Sequence, residues 1–384
     1  MNTSALPAVI TEPTQWEKIA RPLEKARILA IDLEGNGYFR YPEHICLIQL
    51  ASEKQVILLD PLTLKDLTAL GRLLENPNIV KIFHSCDWDL RSLDRDYGFR
   101  VRGLFDSSLA ARFLGINEVG LGKVLKHFLG VDLDKSKSLQ RQDWTLRPLN
   151  PESIQYAALD VFHLVELREH MLEQLQKLGR WEWVQEECLR LESLRYSPPA
   201  SPDETFWNIK GCRELPSNQW ALLRQLNVFR DQLARRLNRP PFKVLSDATL
   251  ISLAGSPEQN LAGFRGLAAV QNAKQLPQLR EILDTKPPKE PLRFPKSKNS
   301  LPQRLSAEAK KRFAALKQWR TDKGQVLGLD PSLLWPMRSL EAMALDPEKR
   351  QHELQRQPGS EVRAWQVKVF SAELENLFLS NFNV

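Results

Sequence analysis

Short apolar runs separated by turns and charged residues dominate the first eighty residues. Four of these runs have the length of strands: Ile28–Ile31, His44–Ala51, Gln55–Leu59 and Ile79–Phe83. The first three follow one another through short connections, which favours an antiparallel meander. The fourth follows Leu64–Leu74, which has helical periodicity, and helical patterns dominate from Trp88 onward. The pattern predicts a mixed sheet with helices packed against it.

The chain after residue 200 has the apolar spacing of helices and contains an internal repeat at an offset of 90 residues. This offset aligns the following residues without a gap: Leu223 with Phe313, Leu226 with Leu316, Phe229 with Trp319, Arg230 with Arg320, Pro241 with Pro331, Leu250 with Leu340, Leu253 with Met343, and Ala254 with Ala344. The aligned apolar residues recur at helical spacing. We therefore expect two copies of one small helical module.

Two breaks in composition divide the chain into three predicted domains. The length of 384 residues exceeds what one hydrophobic core usually supports, which is about 250–300 residues. Residues 197–202 are rich in Pro and Ser, and residues 286–299 are rich in Pro and Lys. With these two segments as linkers, the predicted domains are residues 1–196, 203–285 and 300–384.

Charge is distributed unevenly along the chain. Hydrophobic residues make up 42% and charged residues 26%, which excludes a wholly disordered, collagenous or membrane-embedded protein. The first 200 residues contain 25 basic and 28 acidic side chains, whereas the remaining 184 contain 29 basic and 19 acidic ones. A basic second half indicates a polyanionic partner, although an ordinary solvated surface would have the same composition.

The cysteines and the N-terminal residues indicate a cytoplasmic location. Cys46, Cys86, Cys188 and Cys212 are scattered without a Cys-x-x-Cys pair, which favours reduced thiols over disulfides or a zinc site. Residues 1–10 lack the basic and apolar regions of a signal peptide, and no stretch reaches 18 uninterrupted apolar residues. We expect a cytoplasmic protein that does not enter a membrane.

Acidic side chains follow two of the predicted strands. Asp32 and Glu34 come directly after the first strand, and residues i and i+2 of an extended chain point to the same side. Both carboxylates can therefore face one cation, while Leu33 points away. Asp87 and Asp89 follow the fourth strand at the start of a helix, where either could cap the helix, and we expect that one of the two does.

A third acidic motif lies in a long predicted helix. Asn150 and Pro151 are typical of a helix start, and the apolar pattern continues through Leu175. Tyr156 and Asp160 are four residues apart, so the hydroxyl and the carboxylate can approach the same point.

Carboxylates from the three motifs would need cations if the fold brings them together. Four clustered carboxylates repel one another and raise each other's pKa unless divalent ions neutralise them. Oxygen ligands favour Mg²⁺ or Mn²⁺ over zinc. Two such ions, about 3.5–4 Å apart, form the arrangement used for in-line attack on phosphodiesters.

The order Asp-x-Glu, His-x4-Asp, Tyr-x3-Asp resembles the DEDD superfamily of 3′–5′ exonucleases, in the branch with a tyrosine in the third motif. Several further segments are similar to the ribonuclease D family: residues 41–42, 47–50, 105–107, 130–136, 143–149 and 156–161. Residues 223–247 resemble the helicase-and-RNase-D C-terminal (HRDC) domain, and residues 303–382 resemble a more divergent second copy.

The resemblance implies a fold and a set of site residues. The fold is an α/β ribonuclease H-like exonuclease domain, with a mixed sheet and flanking helices, followed by two all-α HRDC-type domains. In the second motif the resemblance selects Asp89 rather than Asp87. The implied ligands of two divalent cations, Mg²⁺ or Mn²⁺, are Asp32, Glu34, Asp89 and Asp160. Tyr156 would orient or deprotonate the attacking water. Leu33 and His84 are candidates for contact with the substrate, although His84 could simply end a strand.

The resemblance implies a 3′–5′ exoribonuclease that trims structured RNAs, such as tRNA precursors, and releases nucleoside 5′-monophosphates. The basic half would hold the RNA, and nothing indicates an obligate protein partner. The alternatives are a 3′–5′ DNA exonuclease of the Werner-helicase type and an RNA-binding protein with a weak nuclease site. Gly35 departs from the family, which commonly has a bulky apolar residue after this glutamate. The choice between RNA and DNA therefore stays open.

Overall fold

The computed structural model describes residues 6–133, 137–262, 264, 266–270, 275–286, 288, 290, 292–294 and 306–382. Within these residues six strands form one sheet in the order β1-β4-β3-β2-β5-β6. The strands are β1 (Val9–Ile10), β2 (Ile28–Gly35), β3 (Ile45–Ala51), β4 (Val56–Leu59), β5 (Val80–Phe83) and β6 (Leu104–Asp106).

The strand directions confirm the predicted mixed sheet. Strands β2, β3 and β4 pair antiparallel, as the short connections predicted. Strand β5 pairs parallel to β2, and β6 pairs parallel to β5. The sequence pattern missed β1 and β6, because strands of two and three residues are too short to show a period.

Nine helices accompany the sheet in the described part of the first 196 residues. They are α1 (Pro13–Leu23), α2 (Thr68–Glu75), α3 (Asp87–Tyr97), α4 (Ser107–Phe113), α5 (Leu121–Leu129), α6 (Lys137–Gln140), α7 (Pro151–Phe162), α8 (Leu164–Lys177) and α9 (Trp181–Leu191). The long helix predicted from Asn150 is interrupted at His163. The apolar spacing continues across this break because Val161 and Leu164 pack in the same core.

The second half of the chain is helical, as predicted. Its described α-helices are α10 (Pro202–Thr205), α11 (Trp220–Leu237), α12 (Pro241–Val244), α13 (Asp247–Gly255), α14 (Gln275–Leu283), α15 (Ala307–Leu327), α16 (Pro331–Leu334), α17 (Met337–Leu345), α18 (Lys349–Leu354) and α19 (Ala364–Phe382). Three short 3₁₀ helices, Phe206–Asn208, Cys212–Glu214 and Ser217–Gln219, precede α11.

The helices recur at the offset of 90 residues. Helices α12 and α13 correspond residue for residue to α16 and α17, and α11 corresponds to most of α15. The guanidinium of Arg230 donates to the carbonyl of Leu245 at 3.3 Å, and Arg320 donates in the same way to Trp335 at 2.8 Å. The repeated helix arrangement is confirmed, whereas the HRDC character of the second copy stays a prediction.

The two helical regions differ in how they pack. Buried residues from Phe206 to Leu283 form a core of their own. Those from Leu316 to Phe378 belong to the same hydrophobic cluster as the sheet and its helices. The indole of Trp365 stacks on that of Trp183 with 4.7 Å between ring centroids. The predicted domain limits stay predictions, and most of the linker 286–299 and the predicted start at residue 300 lie outside the described residues.

The cysteines and the apolar character of the helices are two further features of the fold. All four cysteines are buried free thiols, as predicted. In the part of the chain that the structure describes, none of the helices combines the length and the apolar character needed to cross a bilayer.

Candidate active site

A cleft of about 840 Å³ opens beside the end of strand β2. Its walls come from the sheet, from helices α3, α7 and α8, and from helix α12 of the first helical region. All seven residues predicted for the site line this cleft: Asp32, Leu33, Glu34, His84, Asp89, Tyr156 and Asp160. The fold therefore brings together motifs that are up to 128 residues apart in the sequence.

Three carboxylates meet at the base of the cleft. Asp32, Glu34 and Asp160 each place a carboxylate oxygen within 4.8 Å of the others. The first two come from alternate positions of β2, and the third comes from α7. This helix begins where it was predicted, because the side chain of Asn150 accepts a hydrogen bond from the Ser153 amide at 2.7 Å.

The second motif orients its two acids in different directions. Asp87 forms an ion pair with Arg91 at 2.8 Å on the exposed side of α3. Asp89 is buried and lines the cleft. Burial raises the pKa of the Asp89 carboxyl well above its usual range, and the nearby charge of Asp32 raises it further. The expectation that one of these acids caps the helix was wrong, because Cys86 occupies the N-cap position.

Tyr156 lies one helical turn before Asp160 and shares its face of α7. Burial raises the pKa of the phenol, and the charges of Asp160, Glu34 and Asp32 raise it further. The hydroxyl of Tyr156 therefore stays protonated at neutral pH and can donate a hydrogen bond in this acidic surrounding. The buried indole of Trp144 lies 6.1 Å from the Tyr156 ring, centroid to centroid, and supports it from the core side.

Leu33 and His84 are wall residues of the cleft. Leu33 is 5% exposed, so it offers little surface to a ligand. The Nδ1 atom of His84 lies 2.8 Å from the hydroxyl of Ser107, and Nε2 lies 2.8 Å from the carbonyl oxygen of Val119. These contacts fix the imidazole between the end of β5 and two neighbouring segments.

Asp106 supports the site but was given no role by the sequence analysis. Its carboxylate accepts the amides of Ser108 and Leu109 at 2.9 Å, which caps α4. It also accepts the amides of Ser85 at 3.3 Å and Cys86 at 2.8 Å, in the turn that leads into α3. Asp-Ser-Ser after a short strand is a capping signal. The hydrogen bonds from Ser85 and Cys86 depend on tertiary structure, because these two residues belong to another segment of the chain.

Trp88 covers Gly35, the residue that follows Glu34 at the end of β2. A Cβ atom added at Gly35 would lie 2.7 Å from Cζ2 of the indole, closer than real contacts allow. The indole lines the cleft, is 36% exposed, and donates from Nε1 to Glu43 at 3.3 Å. The space beside Glu34 that a larger residue 35 would need is therefore occupied by a side chain from α3.

Comparison with known proteins is consistent with this geometry. A family profile described as 3′–5′ exonuclease matches residues 7–176, and the HRDC domain profile matches residues 219–285. Ribonuclease D of Desulfotalea psychrophila is 30% identical over 335 residues, which are 85% of this chain and 87% of that protein. Ribonuclease D of Gluconacetobacter diazotrophicus is 32% identical over 270 residues, 68% of this chain and 67% of that protein.

A solved structure shares the fold over nearly the whole chain. The crystal structure of Escherichia coli RNase D superimposes with a TM-score of 0.66 at 22% identity, and covers 98% of this chain and 99% of that one. At this level of identity the similarity shows the fold: an exonuclease domain with a mixed sheet, followed by helical domains.

We expect Gly35→Ala to lower the free energy of unfolding by about 1–3 kcal/mol, because the new methyl group forces the Trp88 indole to move. Urea unfolding of the purified variant measures this change. The same substitution in a Trp88→Ala background removes the clash and is expected to have a much smaller effect. An equal loss of stability in both backgrounds would contradict the contact.

We expect Asp106→Asn to lower both stability and activity, because an amide cannot accept all four of the amide hydrogens that the carboxylate accepts. The expected loss of stability is about 1–3 kcal/mol, and hydrolysis should fall because the start of α3, which carries Asp89, loses its anchor. Asp66→Asn is the matched control, since Asp66 accepts the Thr68 amide at 2.8 Å in an exposed turn that does not line the cleft. Comparable loss of activity in both variants would refute the positioning role.

Proposed function

The chain belongs to the ribonuclease D family of 3′–5′ exoribonucleases, and on that premise we propose that it shortens structured RNAs from their 3′ ends. The substrate would be a folded RNA with a single-stranded 3′ tail, such as a tRNA precursor. The observation that carries this proposal is the cluster of carboxylates at the base of the cleft.

The donor set of the cleft fits divalent cations. Asp32, Glu34 and Asp160 offer only oxygen ligands within 4.8 Å of one another, and Asp89 lines the same cleft. Such sets favour Mg²⁺ or Mn²⁺. We propose that the four acids hold two of these ions, which when bound would polarise the scissile phosphate and activate water for in-line attack.

Tyr156 would position the water rather than remove its proton. Its raised pKa makes the phenol a poor base, and the hydroxyl, which stays protonated, can donate a hydrogen bond. In this mechanism the bond between phosphorus and the 3′ oxygen of the preceding nucleotide breaks. The terminal nucleotide then leaves as a nucleoside 5′-monophosphate, and the shortened RNA keeps a 3′ hydroxyl.

The division of charge supports separate roles for the two halves. The second half, with 29 basic and 19 acidic residues, would hold the body of the RNA through its phosphates. The first half has more acidic than basic side chains, and bound cations would supply the positive charge that a phosphate requires there.

The experiment that tests this function compares labelled RNA with single-stranded DNA of the same sequence. Each is incubated with the purified protein in Mg²⁺, in Mn²⁺ or in EDTA. We expect stepwise shortening of RNA from the 3′ end, release of 5′-monophosphates and no cleavage in EDTA. Faster degradation of DNA would support the Werner-type alternative, and absence of metal-dependent cleavage would leave only RNA binding.

We expect Asp89→Asn to lower the rate of hydrolysis by at least about 100-fold, because the cluster loses a charge that would hold the cations. RNA binding should persist, since the basic half is unchanged. Asp87→Asn is the matched control, because Asp87 is two residues away on the exposed face of α3 and pairs with Arg91. The assignment of Asp89 as a ligand of the cations is wrong if Asp89→Asn stays active or if both variants lose activity equally.

A further inference from the structure

We propose that Tyr38 and Phe242 form a nucleobase-stacking site at the entrance of the cleft, which holds nucleotides upstream of the scissile bond. The inference rests on the proposed function, since it names how the 3′ tail of the RNA substrate is held. Tyr38 belongs to the loop after β2, and Phe242 belongs to α12 of the first helical region. The site is therefore built by two parts of the chain.

Both rings are available to a ligand. Tyr38 is 49% exposed and Phe242 is 55% exposed, although each is large and apolar. Their ring centroids are 6.3 Å apart with an interplanar angle of 80°, so one ring presents its edge to the other. In this geometry the ring that presents its edge has neither face covered by the other ring. Both rings line the cleft that contains the carboxylates.

Positive charge accompanies the two rings. The guanidinium of Arg141, an exposed residue of the cleft wall, lies 5.7 Å from the centroid of the Tyr38 ring. The ammonium of Lys243, next to Phe242, lies 4.0 Å from the ring of Phe39. Single-stranded nucleic acids are bound by this combination, in which bases stack on aromatic rings and cations attract the phosphates. The rings and cations of the entrance are therefore suited to the bases and phosphates of an RNA strand. The carboxylates at the base of the cleft would repel those phosphates if no cations were bound.

The loop that carries Tyr38 and the helical region that carries Phe242 are held together by contacts that involve neither ring. The hydroxyl of Tyr41 donates to Asp231 at 2.5 Å, and the amide of Tyr41 donates to the side chain of Asn238 at 3.1 Å. The guanidinium of Arg235 lies 5.0 Å from the Tyr41 ring. These contacts join the loop to α11 and its C-terminal cap. Tyr38 and Phe242 can therefore be changed while the two parts of the chain stay together.

A packing contact between the two regions is the structural alternative, and leucine substitution separates it from stacking. Phe242→Leu and Tyr38→Leu keep apolar side chains but remove the aromatic faces. Phe242→Trp restores a face. Val326→Ala is the matched surface control, because Val326 is 77% exposed on α15 and does not line the cleft.

The first measurement is binding by the Asp89→Asn protein, without hydrolysis. Its ligand is a hairpin RNA whose single-stranded 3′ tail contains 2-aminopurine at one position, shifted along the tail in successive RNAs. Stacking quenches the fluorescence of this base. We expect quenching at one or two upstream positions, loss of that quenching and about 5- to 150-fold weaker binding in either leucine variant, and recovery in Phe242→Trp. Unchanged quenching and affinity in both leucine variants, or no binding by the Asp89→Asn protein, would overturn the proposal.

The second measurement is hydrolysis by proteins with Asp89 intact. We expect the leucine variants to lose kcat/KM on the tailed hairpin by a similar factor, while the p-nitrophenyl ester of a nucleoside 5′-monophosphate, which has no nucleotide upstream of the scissile bond, is hydrolysed within about twofold of the wild-type rate. An equal loss on both substrates would indicate general damage and overturn the stacking site. If the wild-type protein hydrolyses neither substrate, the proposed function fails, whereas the binding measurement still decides on stacking.

Discussion

Mutual repulsion among clustered carboxylates is the constraint on which the rest of this structure depends. Asp32, Glu34 and Asp160 lie within 4.8 Å of one another, and burial near Asp32 raises the pKa of Asp89. Such a cluster would relax by separating or by taking up protons unless the backbone holds it in place. The sheet supplies this rigidity, because β2 lies between β3 and β5 and pairs with both. Helix α7, fixed at its start by Asn150, brings Asp160 against that strand.

Buried charges elsewhere in the same domain are satisfied by the protein itself. Arg147 forms an ion pair with Asp60 at 2.6 Å, and Lys81 donates to two backbone carbonyls although burial lowers its pKa to about 8. Asp106 accepts four backbone amides. In the cleft, carboxylates of three residues approach one another within 4.8 Å. The structural charges are matched within the fold, and we propose that the carboxylate cluster also takes its charge balance from cations and substrate.

The two helical regions contribute to this catalytic domain in different ways. The second shares its hydrophobic core and is joined to it by Arg180, which donates to the carbonyls of Phe113 and Leu327. The first has a core of its own and contacts the loop after β2 through Tyr41. It therefore reaches the cleft itself through Phe242. The two modules have the same helix arrangement but different roles: the second supports the catalytic domain, and the first forms part of the cleft wall.

The sequence by itself determined the features that depend on neighbouring residues. Short apolar runs predicted four of the strands, Asn150 and Pro151 predicted the start of α7, and spacings of two and four residues predicted which acids share a face. Tertiary structure decided that Trp88 fills the space over Gly35 and that Asp106 ties together two segments. It also places in the cleft Asp89, which spacing alone could not distinguish from Asp87 and which the family resemblance selected. Phe242 reaches the cleft from a segment about 200 residues away from Tyr38. Local patterns carry no information on such contacts, because they arise only when distant segments pack against each other.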